Sequence, residues 1–119
     1  RRIECSRVAG RERVPAGIRA LLREIYRGHC QICDFWFLKK DREPYFEVHH
    51  LVPAMGHHPK NLVAVCGNCH NQFEHARVQP EFDDEGWLVK VCFNEREFSV
   101  KNALAASRIQ GFHKRLFIG

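Results

Sequence analysis

The 119-residue sequence predicts an α+β domain built around one small core. Three observations carry that expectation. Residues 15–28 have the apolar spacing of one helix face, residues 45–52 read as a strand that contains two adjacent histidines, and two Cys-x-x-Cys pairs stand far apart in the chain.

In "PAGIRALLREIYRG" (15–28), Ile18, Leu21, Leu22, Ile25 and Tyr26 recur at the spacing of one helix face, with Pro15 near the start and Gly28 just past the end. "YFEVHHLV" (45–52) is aromatic and β-branched and is stopped by Pro53. The loop "AMGHHPKN" follows, broken by Gly56 and Pro59. "NLVAV" (61–65) is an apolar run too short for periodicity to decide. From about Gly67, "GNCHNQFEHARV" suits a helix with His70, Phe73, Glu74 and Arg77 on one face. Residues 86–100 predict a packing hairpin that turns near Asn94 and Glu95. Asn102 is placed to cap a last helix lined by Ala105, Ile109, Phe112 and Leu116.

The net charge of +5 is uneven. Residues 1–42 hold eleven Arg or Lys against five acids and 101–119 hold four against none, while 79–100 hold two against six acids. Basic ends suit phosphate contacts, although ordinary solvated surface reads the same way. No apolar run approaches the roughly 20 residues of a membrane span and no charged-then-apolar stretch opens the chain, so no membrane partner and a cytoplasmic location are expected. Because the first residue is Arg1 and the only methionine is Met55, a piece of a longer protein with an upstream domain is expected.

Four of the six cysteines form "CQIC" (30–33) and "CGNC" (66–69). Thiolates at Cys30, Cys33, Cys66 and Cys69 suit structural Zn(II), which takes four soft ligands tetrahedrally. The 32 residues between the pairs exceed the roughly 15–20 of a zinc ribbon, so an insertion separates the two knuckles. Disulfides are disfavoured in a reducing compartment, and neither pair opens the βαβ helix of a redox motif. "CGNCH" also fits covalent haem attachment, but that reading leaves the first pair and the histidines unused. Cys5 and Cys92 read as unliganded, Cys92 as core packing in the hairpin.

A metal clamped by the four thiols would bring the His49–His50 strand beside the helix that carries His70. His49 and His70 could then hold a second, divalent cation in an open site, with Glu74 one helical turn beyond His70. His50 would remain to act on a water, since imidazole, with an ordinary pKa of about 6.5, accepts a proton readily near neutral pH. Taken alone, the pair would read as the surface end of a strand.

The ordered series Cys30-x-x-Cys33, "EVHHLVP", "NLVAVCGNCH" resembles the HNH, or ββα-metal, endonucleases in their zinc-knuckle-bearing form. The resemblance covers residues 26–77 and makes 79–119 a hairpin-and-helix extension of a single domain spanning 1–119. It implies a ββα-metal core with a four-cysteine structural zinc, flanked by an N-terminal helix, a C-terminal hairpin and a C-terminal helix. It further implies hydrolysis of DNA phosphodiesters, with RNA not excluded, around one catalytic divalent metal (Mg, Mn, Ni or Zn). His50 takes the place of the general base, His49 and His70 those of metal ligands, and Asn61 that of the asparagine that holds the base-orienting loop. Many relatives carry a histidine where this chain has Glu74, with His75 one position later. On a helix, four residues return to the same face and five overshoot it, so Glu74 is the expected third ligand. His57 and His58 replace a Gly-Gly and are left as either DNA contacts or solvated residues. The expected role is the cutting module of a restriction or defence protein, with recognition upstream and a homodimer as one route to double-strand cleavage. The alternative is a noncatalytic zinc-knuckle module that binds nucleic acid.

Overall fold

The computed structural model describes residues 14–103. Cys5, the expected C-terminal helix, residues 1–13 of the N-terminal basic segment and nearly all of the C-terminal one lie outside the described residues.

Helix α1 (Ala16–Tyr26) buries Leu21, Leu22 and Tyr26, with Ile18 and Ile25 packed against the same cluster. It ends as the sequence predicts. Arg27 enters the left-handed region with φ 54°, and Gly28 follows at φ 84°. A Cβ on Gly28 would lie 2.6 Å from the Cβ of Pro44, so both the conformation and the close approach require glycine there.

Strand β1 (Glu47–His50) pairs antiparallel with β2 (Leu62–Val65), with Glu47 opposite Val65 and His50 opposite Leu62. The intervening loop contains two 3-10 turns, Pro53–Met55 and Pro59–Asn61. Helix α2 (Gly67–His75) follows and packs on both strands. It stops at His75, so Arg77 lies beyond it and does not share the face of His70, Phe73 and Glu74. Residues 47–75 thus form a two-stranded sheet followed by a helix.

The apolar run of β2 is undecidable by periodicity because the strand is covered on both faces. Leu62 and Ala64 belong to the cluster of α1, Phe46 and Trp87, while Val63 and Val65 join Cys30, Ile32, Leu88, Val91 and Phe93. The two halves of the core meet across this strand.

The predicted hairpin exists as β4 (Leu88–Phe93) and β5 (Arg96–Ser99), turning at Asn94 and Glu95, with φ 59° at Asn94. A further strand, β3 (Val78–Phe82), extends it into a three-stranded antiparallel sheet of order β3-β4-β5. Leu88, Val91 and Phe93 fill the core from this sheet. Cys92 is a correction to the sequence reading: it is only half-buried, and its thiol donates to the Asn94 carbonyl rather than packing the core. Asn102 donates its side-chain amide to the Leu88 carbonyl at 3.2 Å, and the helix it is expected to cap lies outside the described residues.

Gly28→Ala should cost about 2–3 kcal/mol of unfolding free energy, since it combines an incompatible φ with overpacking. Gly17→Ala, in the first turn of α1 where an added Cβ meets nothing within 4 Å, should be neutral or stabilise by up to about 1 kcal/mol. Urea denaturation of both variants beside the parent checks the pair.

Candidate functional site

Cys30 and Cys33 lie on the turn after α1, and Cys66 and Cys69 bracket the start of α2. All four Sγ atoms fall within 4.8 Å of one another, with Cys33 and Cys66 3.7 Å apart. The amides of Ile32 and Cys33 point at Cys30 Sγ (3.4 and 3.5 Å), and that of Cys69 points at Cys66 Sγ (3.4 Å). Such N–H groups favour sulfur in its anionic form. The hydrogen bond from the Cys69 thiol pulls Cys30 down to about 4, against the effect of burial, and the same bond pushes Cys69 up. A cluster that already favours a thiolate, with its protons shared between sulfurs, is one a zinc ion could occupy by displacing those protons.

Gln31, between the first two cysteines, is 3% exposed and fully engaged. Its side chain accepts from Ala64 N at 2.8 Å and donates to Lys101 O at 2.7 Å. The first knuckle is thereby fastened to the middle of β2.

The strand, the loop and α2 enclose a cleft of about 260 Å³ lined by His49, His50, Leu51, Pro53, His70, Phe73 and Glu74. One ligand atom from each of His49, His70 and Glu74 lies within 4.8 Å of the other two. Glu74 Oε2 stands 3.7 Å from His49 Nδ1 and 3.9 Å from His70 Nε2. His49 stacks on Phe73, with ring centroids 4.3 Å apart. Burial, together with the neighbouring His70 and His50, lowers its pKa to about 4, so at neutral pH it is the uncharged imidazole that a metal requires. His75 is exposed and outside this group.

Glu47 was not singled out from sequence, yet it governs His70. His70 Nδ1 donates to Glu47 Oε1 at 2.7 Å, and Tyr45 Oη donates to Glu47 Oε2. Burial alone would raise the Glu47 carboxyl, but the hydrogen bonds from Tyr45 and His70 outweigh it and hold the group below its usual range. With Nδ1 committed as donor, His70 presents Nε2 toward Glu74, the arrangement by which a carboxylate orients a metal-binding histidine. A Cβ on Gly67 would lie 3.3 Å from Glu47 Oε2, so the small residue in "CGNC" leaves room for this carboxylate. The available signal was spacing: Tyr45, Glu47 and His49 lie two apart within the strand expected over 45–52, a spacing that puts residues on one face.

His50, 5% exposed, is the last residue of β1. Asn61, 8% exposed, bridges the loop: Oδ1 accepts from Val52 N (2.8 Å), and Nδ2 donates to Val52 O (2.9 Å) and Gly56 O (2.8 Å). Both histidines line the cleft although both sit in the regularly paired part of the sheet, His49 opposite Val63 and His50 opposite Leu62, with Leu51 N donating to Asn61 O one step further at 2.8 Å; the expected break in pairing at the histidines is not seen. The two loop histidines, His57 and His58, are structurally engaged. His57 Nδ1 lies 3.0 Å from His50 Nε2, and His58 Nδ1 accepts from Lys60 N at 3.0 Å, which caps the second 3-10 turn.

Comparison with known proteins bears on the family and the fold. The family model described as HNH endonuclease matches residues 30–76, which run from the first knuckle to just past α2. Comparison with curated proteins returned no match. Among solved structures, the chain is similar to a "Modification dependent TagI restriction endonuclease", at 19% identity and a TM-score of 0.55 over 75% of this chain. At that identity the likeness is one of fold, and this chain spans 32% of the length of that one.

Glu47→Ala should weaken Mn(II) or Ni(II) binding at the cleft roughly 10- to 100-fold, the usual cost of removing a partner that orients a ligand. Titration calorimetry checks this, with zinc content expected to stay at the wild-type level.

Proposed function

From the premise that residues 30–76 are an HNH endonuclease module, we propose that the chain hydrolyses DNA phosphodiester bonds, with His50 as the general base and a divalent cation held by His49, His70 and Glu74. The observation that carries the proposal is the convergence of those three ligand groups in the cleft that also contains His50. The site fits a cation because His49 is neutral, His70 has its second nitrogen committed to Glu47, and Glu74 supplies negative charge. When bound, the cation would supply charge compensation at the scissile phosphate and the departing 3′ oxygen. His50 would take a proton from the attacking water on the opposite side of the phosphorus. In-line attack leaves a 5′-phosphate and a 3′-hydroxyl. Asn61 holds the loop beside His50 by three hydrogen bonds to backbone groups, which limits the space the ring can explore.

The four cysteines would hold Zn(II) in a closed site with no position for water, so their contribution is to folding. A purely nucleic-acid-binding knuckle would have no need of a buried histidine beside a three-ligand cleft, which favours the catalytic reading. By analogy with the restriction endonuclease it resembles, the chain would serve as the cutting part of a restriction or defence protein. Target choice, including any dependence on base modification, would then rest with other parts of that protein. A single cleft per chain would cut one strand at a time, and a homodimer would cut both.

Supercoiled plasmid incubated with Mg(II), Mn(II) or Ni(II) should be nicked by the wild type. His50→Ala should lose at least about 100-fold in rate, the upper range for a general base being about 10⁴-fold, while keeping its zinc and its circular dichroism spectrum. Cys30→Ser or Cys69→Ser should instead lose zinc and cooperative folding. Equal nicking by wild type and His50→Ala would refute the assignment.

A further inference from the structure

Between the first knuckle and β1, the chain makes a tight turn that begins with three consecutive aromatic residues. Phe35, Trp36 and Phe37 are between 44% and 56% exposed, and none of them belongs to either core cluster. Their backbone is nevertheless pinned. The Phe35 carbonyl accepts from Cys30 N at 3.0 Å, the Phe37 carbonyl accepts from Tyr45 N at 3.1 Å, and Lys39 N donates to Glu43 O at 2.8 Å. Two of the rings are also backed by a second ring: Trp36 stacks on His29 with centroids 5.0 Å and planes 16° apart, and Phe37 stacks on Tyr45 at 5.2 Å and 21°. His29 is held in turn by Asp34, whose Oδ1 lies 3.1 Å from its Nδ1. A half-exposed ring supported on one face keeps its other face open, which is what a stacking base requires.

The same turn carries cations. Asp34 and Asp41 face Lys101 and Lys39, each at 3.9 Å, which leaves Lys40 and Arg42, against Glu43, with no carboxylate in ion-pair reach among the described residues. Two chains of contact lead from the turn to the cleft. Tyr45, beneath Phe37, donates to Glu47, and Phe35 shares a hollow with Cys66, Gly67 and Asn68, where Gly67 abuts the same carboxylate. Glu47 holds His70 in the cleft. Duplex DNA keeps its base faces stacked inside, so open rings of this kind fit unpaired bases. Lysine is depleted at contacts between proteins, which favours a nucleic acid here over a second copy of the chain. We propose that Trp36 and Phe37, flanked by Phe35, are a stacking platform for unpaired bases of a DNA strand beside the cleft, with Lys40 and Arg42 at its phosphates. Its tie to cutting rests on the reading of the cleft as the cleavage site, whereas the binding itself does not.

The test is fluorescence anisotropy with a labelled oligothymidylate of about 15 nucleotides, within the length a single-strand site spans, and a duplex of equal length, using zinc-loaded protein without added divalent metal. Trp36 is exposed and Trp87 is buried, so tryptophan emission reports on the turn. The single strand should quench that emission. Trp36→Ala and Phe37→Ala should each weaken single-strand binding roughly 5- to 100-fold, while Trp36→Phe, which keeps an aromatic face, should stay within about threefold of wild type. Lys40→Ala should lower the slope of log affinity against log salt by about 0.7, a slope that Trp36→Ala leaves unchanged. The duplex should bind more weakly and ignore Trp36→Ala. The proposal is overturned if both alanine variants of the rings bind the single strand like wild type, if the wild type binds it no better than duplex, or if sedimentation shows wild-type dimers that Trp36→Ala dissociates while DNA affinity holds. Should the single strand bind as expected and no metal support plasmid nicking, the cutting reading fails and the platform stands.

Discussion

Four cysteine sulfurs gathered within 4.8 Å of one another, from pairs separated by 32 residues, constrain everything around them. The pair at 30–33 follows α1 and the pair at 66–69 straddles the junction of β2 and α2, so closing the cluster places the helix start against the strands. Gln31 adds a buried fastening from the same knuckle to Ala64. Structural zinc sites contribute apparent binding energies of about 10–16 kcal/mol, comparable with the whole net stability of about 5–15 kcal/mol of a typical domain. In a chain whose core divides into two modest clusters on either side of one strand, a bound zinc would outweigh any single packing contact.

With the framework closed, the cleft is organised by polar contacts that each fix one ring or one loop. Glu47 on β1, itself held by Tyr45 just before the strand, holds His70, Phe73 supports His49 by stacking, and Asn61 braces the loop beside His50. Beyond His50, the Pro53 turn and the Asn61 bridge shape the loop that closes one side of the cleft.

Features that depend on local pattern were legible in the sequence: α1 from its apolar spacing and its Gly28 terminator, the two knuckles from Cys-x-x-Cys, and the turn at Asn94 and Glu95. Helical spacing likewise separated Glu74 from His75, and the structure puts only the first near His49 and His70. Features that arise from tertiary contact were not. Strand β3 contains Pro80 and two polar residues among five, and exists because it pairs along β4 as an edge. Gln31 reads as an ordinary polar residue until Ala64 and Lys101 are brought beside it. Cys92 looked apolar by type, but the alternation of β4 directs Val91 and Phe93 inward and leaves Cys92 between them. Glu47 and His57 were visible as letters without partners, because the contacts that define them link residues 23 and seven positions apart through the fold.

As proposed, one small framework supports two metal centres with different ligands, and His50 belongs to neither. Diffraction from crystals grown with Mn(II), with anomalous maps at the zinc and manganese edges, tests this most directly. The expected result is a zinc peak bounded by Cys30, Cys33, Cys66 and Cys69, a manganese peak within about 2.0–2.3 Å of His49, His70 and Glu74, and His50 beside it without a bond to the metal. A manganese ion bound by His50, or an empty cleft at saturating Mn(II), would contradict the account.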